Sequence, residues 1–462
     1  MDVEKGSEEK KEKRKDDIPF TKFQILRNVF VISCGFLLIF IPFQSITNLQ
    51  SSLNKEEGLG TGGLSIIYGA LIISCMFLPS FVISHLGCKW TIAASMICYL
   101  LYMAANFHAV WGSIVPASVI IGLGAAPMWS AKCSYLTRMA IWYANLTNSF
   151  AHHVMSRFFG IFFMVYQTSE IWGNIISSQV LNGQVEENFT LTEDELRKCG
   201  ANFDPGIQIN NTNMNRPDNS KVHLLCLIYM ASVTFGFLII VLFLQNIPIN
   251  CGDEKTKGKW LPSLMIETFK HLWQSPYQKL LVILTMYSGV EQAFIAGDFT
   301  KSYISCTIGI RNVGYVMICY GIVNAICSLS FGRLMMYVGQ IPLFAFAFIV
   351  HGGTQTALLL WQPQQEPVYI IYIFAGLWGT GDAVIQAQIN ALYGFLFKDN
   401  LEPAFSNYRL FEAIGFLIAF AWSNFLKTYI KLYICLGILT IGMGMYGIVE
   451  ILERTKKKKV LD

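Results

Sequence analysis

Charged side chains are scarce in this chain. Asp, Glu, Lys and Arg supply 14% of its 462 residues, against about 25% in soluble domains. So little charge excludes a water-soluble globule, and the mean hydropathy of +0.45 agrees. Also lacking are the ~10-residue alternating segments of spanning strands, which excludes a membrane barrel. The 12 cysteines form no CxxC or Cys/His spacing, and most fall in apolar runs, where Cys behaves as a small buried hydrophobe. No Ser/His/Asp arrangement or phosphate loop is present. "GLGAAP" at 122–127 follows no strand and ends in Pro127, so close packing of small residues explains it better than a dinucleotide loop. His152 and His153 have no carboxylate or Cys nearby. These absences lead us to expect no catalytic residues, no metal, no cofactor and no enzyme.

What the chain has in abundance is apolar sequence. Runs of about 20 residues recur, each long enough to cross ~30 Å of hydrocarbon as a helix. They predict helices at 24–48, 63–85, 90–110, 112–136, 157–182, 222–247, 278–299, 312–335, 340–362, 367–397, 405–427 and 431–451. The expected fold class is an all-α polytopic membrane protein of about twelve transmembrane helices embedded in the lipid bilayer. Its hydrophilic head, "EKGSEEKKEKRKDD", is unlike a cleavable signal, so the first run is expected to be a retained span.

Loop charges orient it. With both termini in the cytosol, Lys10 to Lys22, Lys255, Lys257 and Lys259, and Lys456 to Lys459 all lie inside, and the acidic loop 183–221 lies outside. The basic clusters abut membrane spans, so lipid rather than nucleic acid is their expected partner. The predicted organisation is a charged tail 1–23, a first six-helix half 24–247, a linker 248–277, a second half 278–451 and a basic tail 452–462. Within the linker, 260–275 reads as an interfacial helix. Sequons at Asn188 and Asn210 fall in the outside loop and are expected to carry glycans, whereas Asn145 falls in a predicted cytosolic loop, 137–156, and should stay bare.

The halves look like copies. Gly87 in "SFVISHLGCK" and Gly339 in "GRLMMYVGQI" are separated by 252 positions (339 − 87). The same offset aligns Tyr68-Gly69 with Tyr320-Gly321 and Arg157 with Arg409. Parallel six-helix repeats describe the major facilitator architecture, whose signature at these turns is roughly G-x-x-x-D-R-x-G-R-R. Here the first copy has Ser80, Ser84, His85, Gly87, Cys88 and Lys89; the second keeps Gly332, Arg333 and Gly339 without an Asp. The glycines needed for a sharp turn survive, but the acidic–basic latch does not. That weakens a transport reading.

The strings "LQSSLNKEEGLG", "LGCKWTI", "GLGAAPMWSAKCSYLT", "FFGIFFMVYQTSEIWGNIISS", "CTIGIRNVGYVMICYG", "GLWGTGDAVIQAQINALYG" and "AFSNYRLFEAIGFLIAF" closely resemble the uncoordinated-93 family, over about residues 24–452, and most of all its homologue A branch. The resemblance implies a major facilitator fold used for partnership: one branch regulates a two-pore potassium channel, another escorts nucleic-acid-sensing receptors. It also implies a plasma-membrane location, with endomembranes as the alternative. The chain departs from the branch in having Cys199 alone where two loop cysteines are usual, and carboxylates at Glu170 and Glu291 where neutral residues are usual.

Ionisable groups inside spans are costly and mark functional hypotheses. Glu170, Glu291, Asp382, Arg409 and Glu412 stand out. In this fold helices 7 and 10 line the central cavity, which makes Glu291 and Asp382 a candidate proton site; pairing with Gln292 or Gln386 merely to fix packing is the alternative. Arg409 and Glu412, at i and i+3, read as a structural ion pair near the cytosolic end of helix 11, with Arg409 and Arg157 snorkelling to headgroups. Cys199 and Cys306 are the two cysteines outside in this topology and could be bridged, remain free thiols or bind a partner chain. Two functions compete: an accessory partner of another membrane protein, such as a potassium channel or receptor, and a solute carrier, proton-coupled through Glu291 and Asp382, whose solute the sequence does not name.

Overall fold

The computed structural model describes residues 18–53, 59–181, 193–205, 219–247, 269–308, 311–364, 367–423 and 425–461. Apolar runs that cannot hydrogen-bond to lipid must satisfy their backbone internally, and the described chain does so as helices. α1 is Lys22–Leu53. A single rod, Leu59–Ala105, bends at Gly87 into two arms, α2 (59–86) and α3 (88–105). Then come α4 (Trp111–Thr147), α5 (Ala151–Leu181) and α6 (Asn219–Phe243). α7 (Pro276–Ala293) continues through a π-helical stretch, Phe294–Ser305, into Cys306–Ile308. α8 (Arg311–Val338), α9 (Gln340–Leu360), α10 (Tyr369–Leu396), α11 (Leu401–Trp422) and α12 (Thr428–Leu461) complete the bundle.

The packing repeats. α1 rests on α5 and α6 as α7 rests on α11 and α12, and the α2–α3 rod covers α4 as α8 and α9 cover α10. Gly87 and Gly339, at matching points, both adopt left-handed φ (71° and 82°), a conformation that a Cβ disfavours. The two halves meet where α5 packs on α8 and α11 packs on α2. Gly160 and Gly332 let the α5 and α8 backbones touch: a Cβ on either would meet the other helix's backbone. Across the other seam Tyr68 stacks on Phe416 with ring centroids 5.1 Å apart.

Nine of the described helices are apolar and long enough to cross a membrane by composition alone. Of the four seam helices α8 qualifies, α2 contributes only a shorter apolar segment, Gly62–Met76, and α5 and α11 fall short. α5 carries Gln167, Glu170 and Asn174, and α11 carries Asn407, Arg409 and Glu412; all six side chains are buried against protein rather than lipid.

The predicted helices lie where expected, but α7 continues past 299 to Ile308, α12 runs past 451 to Leu461 through the predicted tail, and the loop between α4 and α5 differs most. The expected loop 137–156 is mostly helix: α4 runs on to Thr147 and α5 begins at Ala151. Asn148 ends α4 at φ 51°, its N–H bonded to the carbonyl of Ala144, a left-handed cap that Asn tolerates because its short polar side chain can bond locally. Asn145 is therefore exposed on the last turn of α4. Asn188, Asn210 and most of the predicted 260–275 helix lie outside the described residues.

Candidate functional site

In the second half, Glu291 on α7 and Asp382 on α10 are both fully buried. Glu291 Oε2 accepts from the Trp378 indole at 2.8 Å. Asp382 Oδ2 accepts from Tyr320 Oη at 2.7 Å, from Asn324 Nδ2, and from Gln167 Nε2 of the first half at 3.4 Å. The two carboxyl groups are electrostatic neighbours. The other oxygen of each, Glu291 Oε1 and Asp382 Oδ1, has no partner among the described residues. A single proton held between two such carboxyls would supply the missing hydrogen bond and remove the clash of two negative charges. Gln386 and Gln292, the alternative partners read from sequence, turn instead to Ser288: Gln386 Nε2 donates to its hydroxyl at 2.8 Å, and Gln292 Nε2 to its carbonyl at 2.9 Å.

A proton held there would have a spectroscopic consequence. Infrared spectra at neutral pH should show a protonated-carboxyl band that both Glu291→Gln and Asp382→Asn remove. A band that survives both changes places the proton elsewhere.

A second cluster lies where α4, α5 and α11 meet. Arg409 and Glu412 form an ion pair through Nη1 and Oε2, with relative exposures of 6% and 5%. Glu412 Oε1 also accepts from Ser288 Oγ and Tyr408 Oη, each at 3.1 Å. The Arg409 guanidinium stands 4.4 Å from the ring centroid of Trp129 on α4. Arg409 thus reaches across the seam into the first half instead of snorkelling toward headgroups. Its counterpart Arg157 is half-buried and sits over Tyr143 at 5.2 Å.

Lys132 on α4 shares this cluster and escaped the sequence reading. It is fully buried, with its Nζ 4.8 Å from the Trp129 centroid. The signal was available: a lysine inside a predicted span deserves the same scrutiny as Glu291. Asp298 and Lys431, paired at 2.7 Å and bonded to Ser423, escaped because they fall at the edges of their predicted spans. Glu170 is buried on α5, its Oε2 accepting from Asn174 at 3.3 Å.

At the end of the bundle opposite Gly87 and Gly339, a segment joining α5 to α6 is strapped across the second half. Cys199 is disulfide-bonded to Cys306, with Cα atoms 5.6 Å apart. The backbone N–H of Thr428 donates to the carbonyl of Phe203 at 3.2 Å, and Gln362 Nε2 donates to that of Leu196 at 3.4 Å. Lys427 stands 3.7 Å from Asp204. Gly200, at φ 69°, lies so close to Pro363 that a Cβ would collide with the ring. No group of three metal-ligating side chains occurs among the described residues.

Twelve helices in two similar halves, with buried ionisable groups at the seam, define a multi-pass membrane protein of major facilitator type. Solved transporters share the fold. The human organic anion transporter MFSD10 superposes with a TM-score of 0.62 at 10% identity, covering 91% of this chain and 99% of that one. The E. coli fucose:proton symporter gives 0.61 at 13% identity, covering 90% and 98%. Sequence similarity is far more specific. A family model described as "Ion channel regulatory protein UNC-93" matches residues 50–449. Protein unc-93 homolog A of Xenopus laevis is 44% identical over 437 residues, 94% of this chain and 95% of that protein. The human homolog A is 43% identical over 430 residues, 93% and 94% of the two chains. The putative potassium channel regulatory protein unc-93 of Caenorhabditis elegans is 35% identical over 435 residues, 93% of this chain and 61% of that protein. The chain belongs to the UNC-93 family.

Proposed function

We propose that this protein is a non-enzymatic regulatory partner of another membrane protein, with a potassium channel as the first candidate and a receptor as the second. The observation that carries the reading is the family match over residues 50–449, together with the name borne by the nematode relative. The turn chemistry supports it. Where a rocking transporter of this fold has an acidic–basic latch, His85 Nδ1 here bonds locally, at 2.8 Å from the carbonyl of Phe81. Co-expression with potassium channels should change whole-cell current for at least one of them. A current unaffected across all channels tested, with the protein at the cell surface, removes the channel reading.

The solute-carrier reading keeps one specific support, the facing carboxyls of Glu291 and Asp382. Proton-driven uptake into liposomes that Asp382→Asn abolishes is the result that would favour it.

The proposed setting is the plasma membrane, with both termini cytosolic, halves 24–247 and 278–451, and the linker 248–277 inside. Glycans on Asn188 and Asn210 follow from that orientation. Changing both to Gln should abolish the entire glycan mobility shift. A shift that persists until Asn145 is changed reverses the topology.

A further inference from the structure

With Lys132 and Arg409 protonated, the cluster around Trp129 holds two cations against one carboxylate among the described residues. Lys132 and Arg409 both stand against that ring, 4.8 and 4.4 Å from its centroid, and the one carboxylate beside them, Glu412, is paired with Arg409. Lys132 is fully buried, yet its Nζ makes no regular hydrogen bond among the described residues, and neither do Arg409 Nε and Nη2; the Cys133 sulfur beside both is a weak acceptor, and its thiol donates to Asn390 Oδ1 at 3.2 Å. Around the ammonium stand Phe162, Phe163 and Phe159 of α5, with centroids at 4.3, 5.0 and 5.5 Å. Aromatic faces attract a cation and offset part of the loss of its water, but they accept none of its hydrogen bonds. A buried charge so placed is normally neutralised by a partner. Here the unused donors come from both halves, on α4 and α11, so whatever satisfies them also joins the halves.

We propose that Lys132 and Arg409 form the binding site for a small organic monocarboxylate with an apolar body. A single negative charge balances the local excess, whereas a dianion overshoots it. The flat guanidinium edge matches a carboxylate, and the lysine adds a point charge beside it. The rings of Trp129, Phe159, Phe162 and Phe163 accommodate the apolar part. The site is closed in this structure, so entry requires the halves to part along α2–α11 and α5–α8. An occupied site favours one arrangement of the halves over another, as any ligand with differential affinity does. The inference is independent of whether the partner is a channel, since it is read from binding to the isolated protein.

The test uses the full-length chain in lipid nanodiscs and follows the unfolding midpoint and tryptophan fluorescence. The probes are benzoate as a water-borne carboxylate, laurate as a bilayer-borne one, inorganic phosphate, and benzylammonium as a cation control. Benzoate, laurate or both should raise the midpoint saturably; which one does so tells whether the ligand comes from water or from the bilayer. Lys132→Met should weaken that binding by about tenfold or more, while Lys132→Arg retains it. Without ligand, Lys132→Met should melt higher than the natural protein, because a buried charge has been removed. Should Lys132→Met fail to fold, Lys132→Gln carries the same comparison, and quenching lost in Trp129→Phe locates the ligand independently. No response to either carboxylate, an equal response to benzylammonium, tighter binding of phosphate, or unchanged binding after Lys132→Met overturns the proposal.

Discussion

Glu412→Ala is expected to destabilise the protein by about 3–5 kcal/mol, the usual cost of removing one partner from a buried ion pair. The carboxylate accepts from Arg409, Ser288 and Tyr408 at once. Its loss removes the acceptor of Ser288 Oγ and the shorter of two acceptors of Tyr408 Oη, and leaves Arg409 and Lys132 against Trp129 with no anion beside them. Glu412→Gln keeps an acceptor for the hydroxyls and should cost less. Replacing the pair together, Arg409→Met with Glu412→Leu, should recover much of the loss, because the charge to be compensated is gone along with its partner. Denaturation in bicelles measures all three. If Glu412→Ala falls within about 0.5 kcal/mol of the natural protein, as an exposed substitution does, the cluster is solvated and its burial is not energetically felt.

The large-scale fold was legible because it depends on features that survive in one dimension. Apolar run length fixes the number of spans, and the spacing of Gly87 and Gly339 reveals the repeat, since both turns need a left-handed residue. The loop 137–156 was misjudged for a related reason. The polar end of α4 lacks the apolarity of a span, but a helix can outrun the hydrocarbon and stop on a cap such as Asn148. Which polar groups meet was harder to see. Placing Glu291 and Asp382 on two cavity-lining helices followed from the resemblance, whereas their facing each other, and not Gln386 or Gln292, depends on helix rotation that spacing does not encode. Arg409 looked like a headgroup-facing residue because its repeat mate, Arg157, lies near a helix start. Its path to Trp129 is set by how α11 packs on α4, a contact between halves that are far apart in sequence.

The disulfide tests the molecule on a larger scale. Cys199 and Cys306 are 107 residues apart, so the bond closes a long loop. For a loop of about 100 residues the chain-entropy argument puts the stabilisation near 4.7 kcal/mol. Spans retained in a bilayer limit the unfolded chain's freedom, so about 2–4 kcal/mol is the expected loss on changing both cysteines to serine. The mechanical effect should be as plain. The strap is anchored at α5 and α6 of the first half, and its other contacts fall on the second half: Cys306, the backbone of Thr428, Gln362 and Lys427. These contacts hold residues 193–205 on the second half at this end. The disulfide is the one link among them that thermal motion cannot break, and we expect it to restrain opening at this end. Spin labels at Gln179 near the end of α5 and Tyr315 near the start of α8, both exposed positions, report that opening directly. Reduction should broaden their distance distribution toward longer separations, and the double serine variant should match the reduced protein. Peptide mapping without reductant should recover Cys199 and Cys306 in one linked species. Modification of Cys199 by an impermeant thiol reagent on intact cells, or a distance distribution indifferent to reduction, removes the strap's role in holding this end closed.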